Sequence, residues 1–150
     1  FLYSSIGFDG LNRFNNKDVV SVELEMFLSG NGEIQDNRTF YATIEPLAET
    51  FNENSLSVNT SPRYFRTKSP AKYSSSENTP SARVVFDLTG MIYEGDNGDS
   101  KLADTLGKTY GFSLTPPTDV SEDGYLEEKP REFQSTRTSR PPTLIVKYKE

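Results

Sequence analysis

The residue types able to do chemistry in this 150-residue chain are carboxylates, tyrosines and guanidinium groups. Cysteine and histidine are both absent. Thiolate nucleophiles, disulfides, imidazole ligands and Ser-His relays are thereby excluded. One acidic stretch, EGDNGDSKLAD, carries Glu94, Asp96, Asp99 and Asp104. Four carboxylates within eleven residues offer hard oxygen ligands, and the ion suited to them is Ca²⁺, which takes six to eight. Their spacing is not that of an EF-hand loop, and the competing reading is an acidic, solvated loop. Asp119, Glu122, Asp123, Glu127 and Glu128 form a second acidic cluster. Any of the twenty-two acids can be paired on paper into a glycosidase dyad, so pairing alone names no catalytic residue. No catalytic signature is present, and the expectation is a non-enzyme.

The tyrosines suggest binding. Tyr64, Tyr73, Tyr93 and Tyr125 stand in or beside polar stretches. An aromatic face there can cover the apolar face of a pyranose ring while neighbouring polar groups meet its hydroxyls. Arg63 and Arg66 flank Tyr64 and can grip a sugar carboxylate with two parallel hydrogen bonds. The plainer alternative is that the same tyrosines cap the ends of the fold. A formal net charge of −6 leaves no basic face for phosphates, so nucleic acid is not an expected partner. An acidic polymer would likewise be repelled by the chain as a whole unless a cation bridges the two.

These groups need a scaffold, and the composition points to strands. Ten Phe and eight Tyr are punctuated by nine Pro and ten Gly, which leaves little room for long helices. The clearest organising signal is the closing run Thr143 to Tyr148, set off by Pro141-Pro142. Proline cannot donate to a ladder, so the pair fixes where the strand begins. Leu144, Val146 and Tyr148 share one face, and a strand this apolar is expected at the centre of a sheet. The best alternation is Val20, Val22, Leu24, Met26 and Leu28, with Ser21, Glu23, Glu25 and Phe27 opposite.

Further strands are expected over residues 1–8, 38–45 (Phe40, Ala42 and Ile44 inward, ended by Pro46), 82–89 (Val84, Phe86 and Leu88 inward), 108–114 (Tyr110, Phe112 and Leu114 together) and 132–135. A brief one is expected near 64–67, whereas 68–81 and 116–130 read as polar loops. Six to eight strands with no internal repeat predict a single all-β domain over residues 1–150, an antiparallel β-sandwich of jelly-roll type. Its predicted core is Val20, Val22, Leu24, Met26, Phe40, Ile44, Val84, Phe86, Leu88, Phe112, Leu114, Leu144 and Val146.

Taken in order, VVSVELEMFLSGNG, AETFNENSLSVNTSP, ARVVFDLTGMIYEGDNGD, YGFSL and EFQSTRTSRPPTLIVKY resemble successive pieces of the DNRLRE-type β-sandwich domains. That family overlaps with one family of carbohydrate-binding modules. The resemblance runs from about residue 8 to residue 148. Phe51 and Val58 stand where the family has Trp, and the strand preceding FLYSSIGF in the family has no counterpart here. The resemblance implies a jelly-roll fold, an extracellular or cell-surface location and non-catalytic service within larger proteins. Some members bind polysaccharide, notably alginate, whereas others act as structural modules.

Two functions follow as expectations. The first is a carbohydrate-binding module that recognises polysaccharide or glycan through loop aromatics. The second is a structural module held to neighbouring copies or domains by strand addition or module contacts. A third option is an appendage to a polysaccharide-degrading enzyme. The chain has no apolar run long enough for a transmembrane helix, no signal-peptide pattern and no initial Met, so it is expected to be processed or to belong to a longer protein. Asn37-Arg38-Thr39 and Asn59-Thr60-Ser61 fit the N-glycosylation triplet.

Overall fold

The computed structural model describes residues 4–27, 40–52, 62–68, 71–75, 83–115 and 139–150. Nine strands lie within them: β1 (Ser4–Gly7), β2 (Asp18–Phe27), β3 (Phe40–Pro46), β4 (Ala71–Ser75), β5 (Arg83–Asp87), β6 (Ile92–Gly95), β7 (Gly98–Lys101), β8 (Gly111–Thr115) and β9 (Thr143–Lys149). One helical turn, α1 (Leu102–Thr105), and 3₁₀ turns at Leu11–Phe14 and Leu106–Lys108 complete the elements. The strands form a four-stranded sheet of order β1-β8-β3-β4, a three-stranded sheet β5-β2-β9 and the hairpin β6-β7, and every pairing is antiparallel. None of the helices is long and apolar enough to cross a membrane, among the described residues.

Two stretches expected as loops are ordered differently. Within 68–81, Ala71–Ser75 pairs with β3 from Phe40↔Ser75 to Ile44↔Ala71. The sequence AKYSS has no clear apolar alternation to announce a strand, and it is the pairing with β3 that identifies one. The acidic stretch after Tyr93 becomes the β6-β7 hairpin, turned through Asp96 and Asn97, with Gly98 at φ 116°. Asp and Asn followed by Gly suit the tight turn that a right-twisted hairpin requires. These two stretches take the strand number past the expected six to eight. The expected strand 132–135, the loop 116–130 and the two glycosylation triplets lie outside the described residues.

β2 holds the centre of its sheet. It pairs with β5 from Glu23↔Asp87 to Phe27↔Arg83 and with β9 from Asp18↔Lys149 to Glu25↔Thr143. From Val22 onward the expected alternation holds, with Val22, Leu24 and Met26 buried. Val20 breaks it, being 49% exposed rather than in the core. The register with β9 shifts between Val19 and Ser21, so Val20 is the extra residue of a β-bulge. A bulge turns every residue beyond it to the opposite face, and Val19 packs against the core in its place. β9 begins at Thr143, directly after the two prolines, but among the described residues it lies at the edge of its sheet and not at the centre.

The two larger sheets share one hydrophobic cluster, an arrangement consistent with an all-β sandwich. Val22, Leu24, Met26, Val84 and Phe86 come from one sheet, and Ile6, Ile44, Phe112 and Leu114 come from the other. Leu88, Met91, Leu102 and Leu106 add to the same cluster from the connections. Leu144 and Val146 touch it but stay half-buried. Tyr110 is exposed, because β8 begins only at Gly111. That glycine lies opposite Gly7 at φ 145°, and a Cβ there would collide with the Ile6 carbonyl oxygen. The side chains of Phe40 and Ala42 lie outside what is described.

Candidate functional site

Residues 62–68 form a strap laid between the end of β3 and the β6-β7 hairpin. On one side Ala48 N–H donates to the Arg63 carbonyl at 2.8 Å and Phe65 N–H to the Pro46 carbonyl at 2.8 Å. On the other side Lys68 N–H donates to the Ile92 carbonyl at 2.7 Å and Glu94 N–H to the Arg66 carbonyl at 2.8 Å. The bridges Leu47↔Tyr64 and Thr67↔Tyr93 are the strand signal that the sequence placed near 64–67. A buried carboxylate adds a further tie, since Glu45, 6% exposed, accepts from Thr67 N–H at 3.0 Å.

Extended backbone sends alternate side chains to opposite faces. Phe65 and Thr67 are half-buried, whereas Tyr64, Arg66 and Lys68 are exposed. Tyr64 shows 37% of its surface. Arg63 is exposed beside them, its guanidinium carbon 5.7 Å from the centre of the Phe65 ring and 3.4 Å separating its nitrogen from Asp96 Oδ1. Its backbone N–H donates to Glu49 Oε1 at 2.9 Å. Lys68 Nζ meets Asp99 Oδ2 at 2.7 Å, and this hydrogen bond, with the attraction of the same carboxylate, raises the ammonium above its usual pKa. Both ion pairs lie in solvent, so each fixes position more than it stabilises.

Tyr93 is not a surface platform. It is 7% exposed, and its ring stacks on Phe65 at 5.2 Å between centroids and 25° between planes. Its hydroxyl lies 2.7 Å from Thr105 Oγ1, and that oxygen donates to the Lys101 carbonyl at 3.0 Å. Thr105 has thereby spent its proton, so the tyrosine donates. Alternation along β6 turns this ring inward, and it supports the strap from beneath. For Tyr73, in β4, only the backbone is described, and Tyr125 lies outside the described residues.

The four acids expected to hold Ca²⁺ do not converge on one point. Asp96 faces Arg63, Asp99 faces Lys68, Glu94 sits opposite Asp99 in the hairpin register, and Asp104 belongs to α1. No group of three or more acids is placed to hold a metal ion among the described residues. With Asp96 and Asp99 each engaged by a cation and no three acids gathered among the described residues, this donor set falls short of the six to eight oxygens that Ca²⁺ takes.

Sequence reading singled out Arg63, Tyr64 and Arg66, which the structure leaves exposed, but not Phe65, Lys68 or Glu45. The alternation of Tyr64, Arg66 and Lys68 was visible; the buried carboxylate beneath the strap had no local signal. No protein-family model, curated protein or solved structure matches this chain, so its reading rests on the strap and the sheets that hold it.

Proposed function

We propose that this is a non-catalytic module that binds polysaccharide outside the cell, with Arg63, Tyr64 and Arg66 as its contact residues. One observation carries the proposal: these three exposed side chains ride on a strap tied to both neighbours by backbone hydrogen bonds. A pre-ordered strip loses little conformational entropy when a flexible polymer settles on it. Tyr64 offers an aromatic face to a pyranose ring, and Arg66 meets hydroxyl or carboxylate oxygens. Arg63 is shared with Asp96, which moderates its charge. The preferred ligand is therefore a polysaccharide carrying occasional carboxylated sugars rather than a uniformly charged one. A jelly-roll strand path and kinship with the carbohydrate-binding modules noted above belong to the same proposal.

The test is affinity gel electrophoresis through neutral and uronate-containing polysaccharides, alginate among them. Retardation is expected on at least one polymer. It should fall at least about tenfold in apparent affinity for Tyr64→Ala and for Arg66→Ala, a loss matching one stacking or charge-assisted contact. It should persist in EDTA. Tyr93→Phe, which keeps the stacked ring, should leave it unchanged. Absence of retardation on every polymer overturns the reading.

A further inference from the structure

Beside β9 the fold carries a groove of about 270 Å³, lined mainly by apolar side chains together with Asp9, Arg13 and Thr143. Phe8, Leu11 and Phe14 line one wall, and Pro142, Leu144 and Val146 line the other. Four of these (Phe8, Phe14, Leu144 and Val146) pack on the hydrophobic cluster yet remain half-buried. The backbone adds a second element. Among the described residues β9 pairs with β2 alone, and none of them takes up the ladder donors and acceptors of its other edge. Apolar surface beside an edge that no described strand covers suits an extended strand better than a helix or a small molecule.

Charge narrows the occupant. Segments 9–18 and 139–150 hold five cations (Arg13, Lys17, Arg140, Lys147 and Lys149) against three acids (Asp9, Asp18 and Glu150). The chain overall is −6, so this lip is locally reversed in sign. The strand already on the inner edge of β9 has the matching pattern. β2 sets Val22 and Leu24 opposite Val146 and Leu144, places Asp18 opposite Lys149, and carries Glu23 and Glu25 between its apolar residues. We infer that the outer edge of β9 and its groove receive a strand of another protein chain, apolar at alternate positions and acidic between them. Its apolar side chains fill the groove, its carboxylates face Lys147 and Lys149, and its backbone extends the β5-β2-β9 sheet.

The probe is a fluorescent decapeptide with the sequence of residues 18–27, titrated with the intact chain and read by fluorescence anisotropy. Saturable binding is expected. A peptide N-methylated at alternate residues, which removes one edge of donors, should fail to bind. A peptide with its three acids replaced by lysine should bind at least about tenfold more weakly, as expected for misplaced charge at a contact. Because a chain of −6 repels acidic peptides in general, that preference reports the edge itself. Lys147→Glu changes an exposed side chain and should reverse the preference. Lack of saturable binding, or equal binding of the N-methylated peptide, overturns the inference. So does a dimer, seen by sedimentation, that the peptide fails to dissociate, since the edge then belongs to a second copy.

Discussion

β5 and β9 flank the same strand and carry similar apolar alternation, yet they end in different surroundings. On the β5 side, Val84 and Phe86 are each 1% exposed. That side is sealed at its end by Thr89, whose hydroxyl accepts from Val22 N–H at 3.1 Å, and by Leu88 N–H donating to the Val22 carbonyl at 2.9 Å. At its other end Arg83 is paired with Glu25 at 2.5 Å. On the β9 side, Leu144 and Val146 are half-buried, and Tyr148 is 40% exposed, touching Phe14 edge-on under Lys17. One flank serves stability, whereas the other leaves core-type residues within reach of solvent. Burial is set by what covers a strand, and an alternating pattern supplies only the candidate face.

The sharpest way to break this contrast is to hollow out each flank. Phe86→Ala should cost about 3 to 5 kcal/mol in denaturant unfolding, the range for a buried aromatic. A matched pair controls for chemistry: Val84→Ala should cost about 2 kcal/mol, and Val146→Ala less than about 1 kcal/mol, because solvent already reaches the second site. Equal costs would erase the difference between the flanks.

Charge offers smaller tests. Arg83→Gln should cost less than about 1 kcal/mol and should lose even that in high salt, as exposed pairs do. Acid sharpens the comparison further. Asp87, at the end of β5, accepts from Thr89 N–H at 3.0 Å, and this backbone hydrogen bond holds its carboxyl below the usual 3.8. A carboxylate with a depressed folded pKa binds fewer protons in the folded state than in the unfolded one. Its contribution is therefore complete above the ordinary value and fades as pH falls through the folded pKa. Asp87→Asn should flatten that acid limb slightly in pH-dependent unfolding, and Lys147→Gln on the other flank should leave it unaltered.

Much of the scaffold was legible because its signals are local. The period of two in VELEM and RVVFDL fixes which side chains share a face, and Pro141-Pro142 fixes where β9 starts. The exposure of Arg63, Tyr64 and Arg66 was legible because polar surroundings mark an exposed segment. Val20 was misplaced because a bulge depends on the partner strand's register, which the bulged strand does not encode alone. Tyr93 was misplaced because the strap that covers it comes from residues far away in sequence.

By itself, then, the sequence determined the all-β class, the inward faces of β2 and β5 and the polar strip around Tyr64. Each follows from side-chain order along a pleated backbone. Tertiary structure alone decided that β9 lies at an edge among the described residues, that AKYSS is a strand, that Tyr93 is a support and that Asp96 and Asp99 each face a cation. Those outcomes depend on which distant backbone supplies the hydrogen bonds and which side chains arrive to exclude water, and no local pattern contains either.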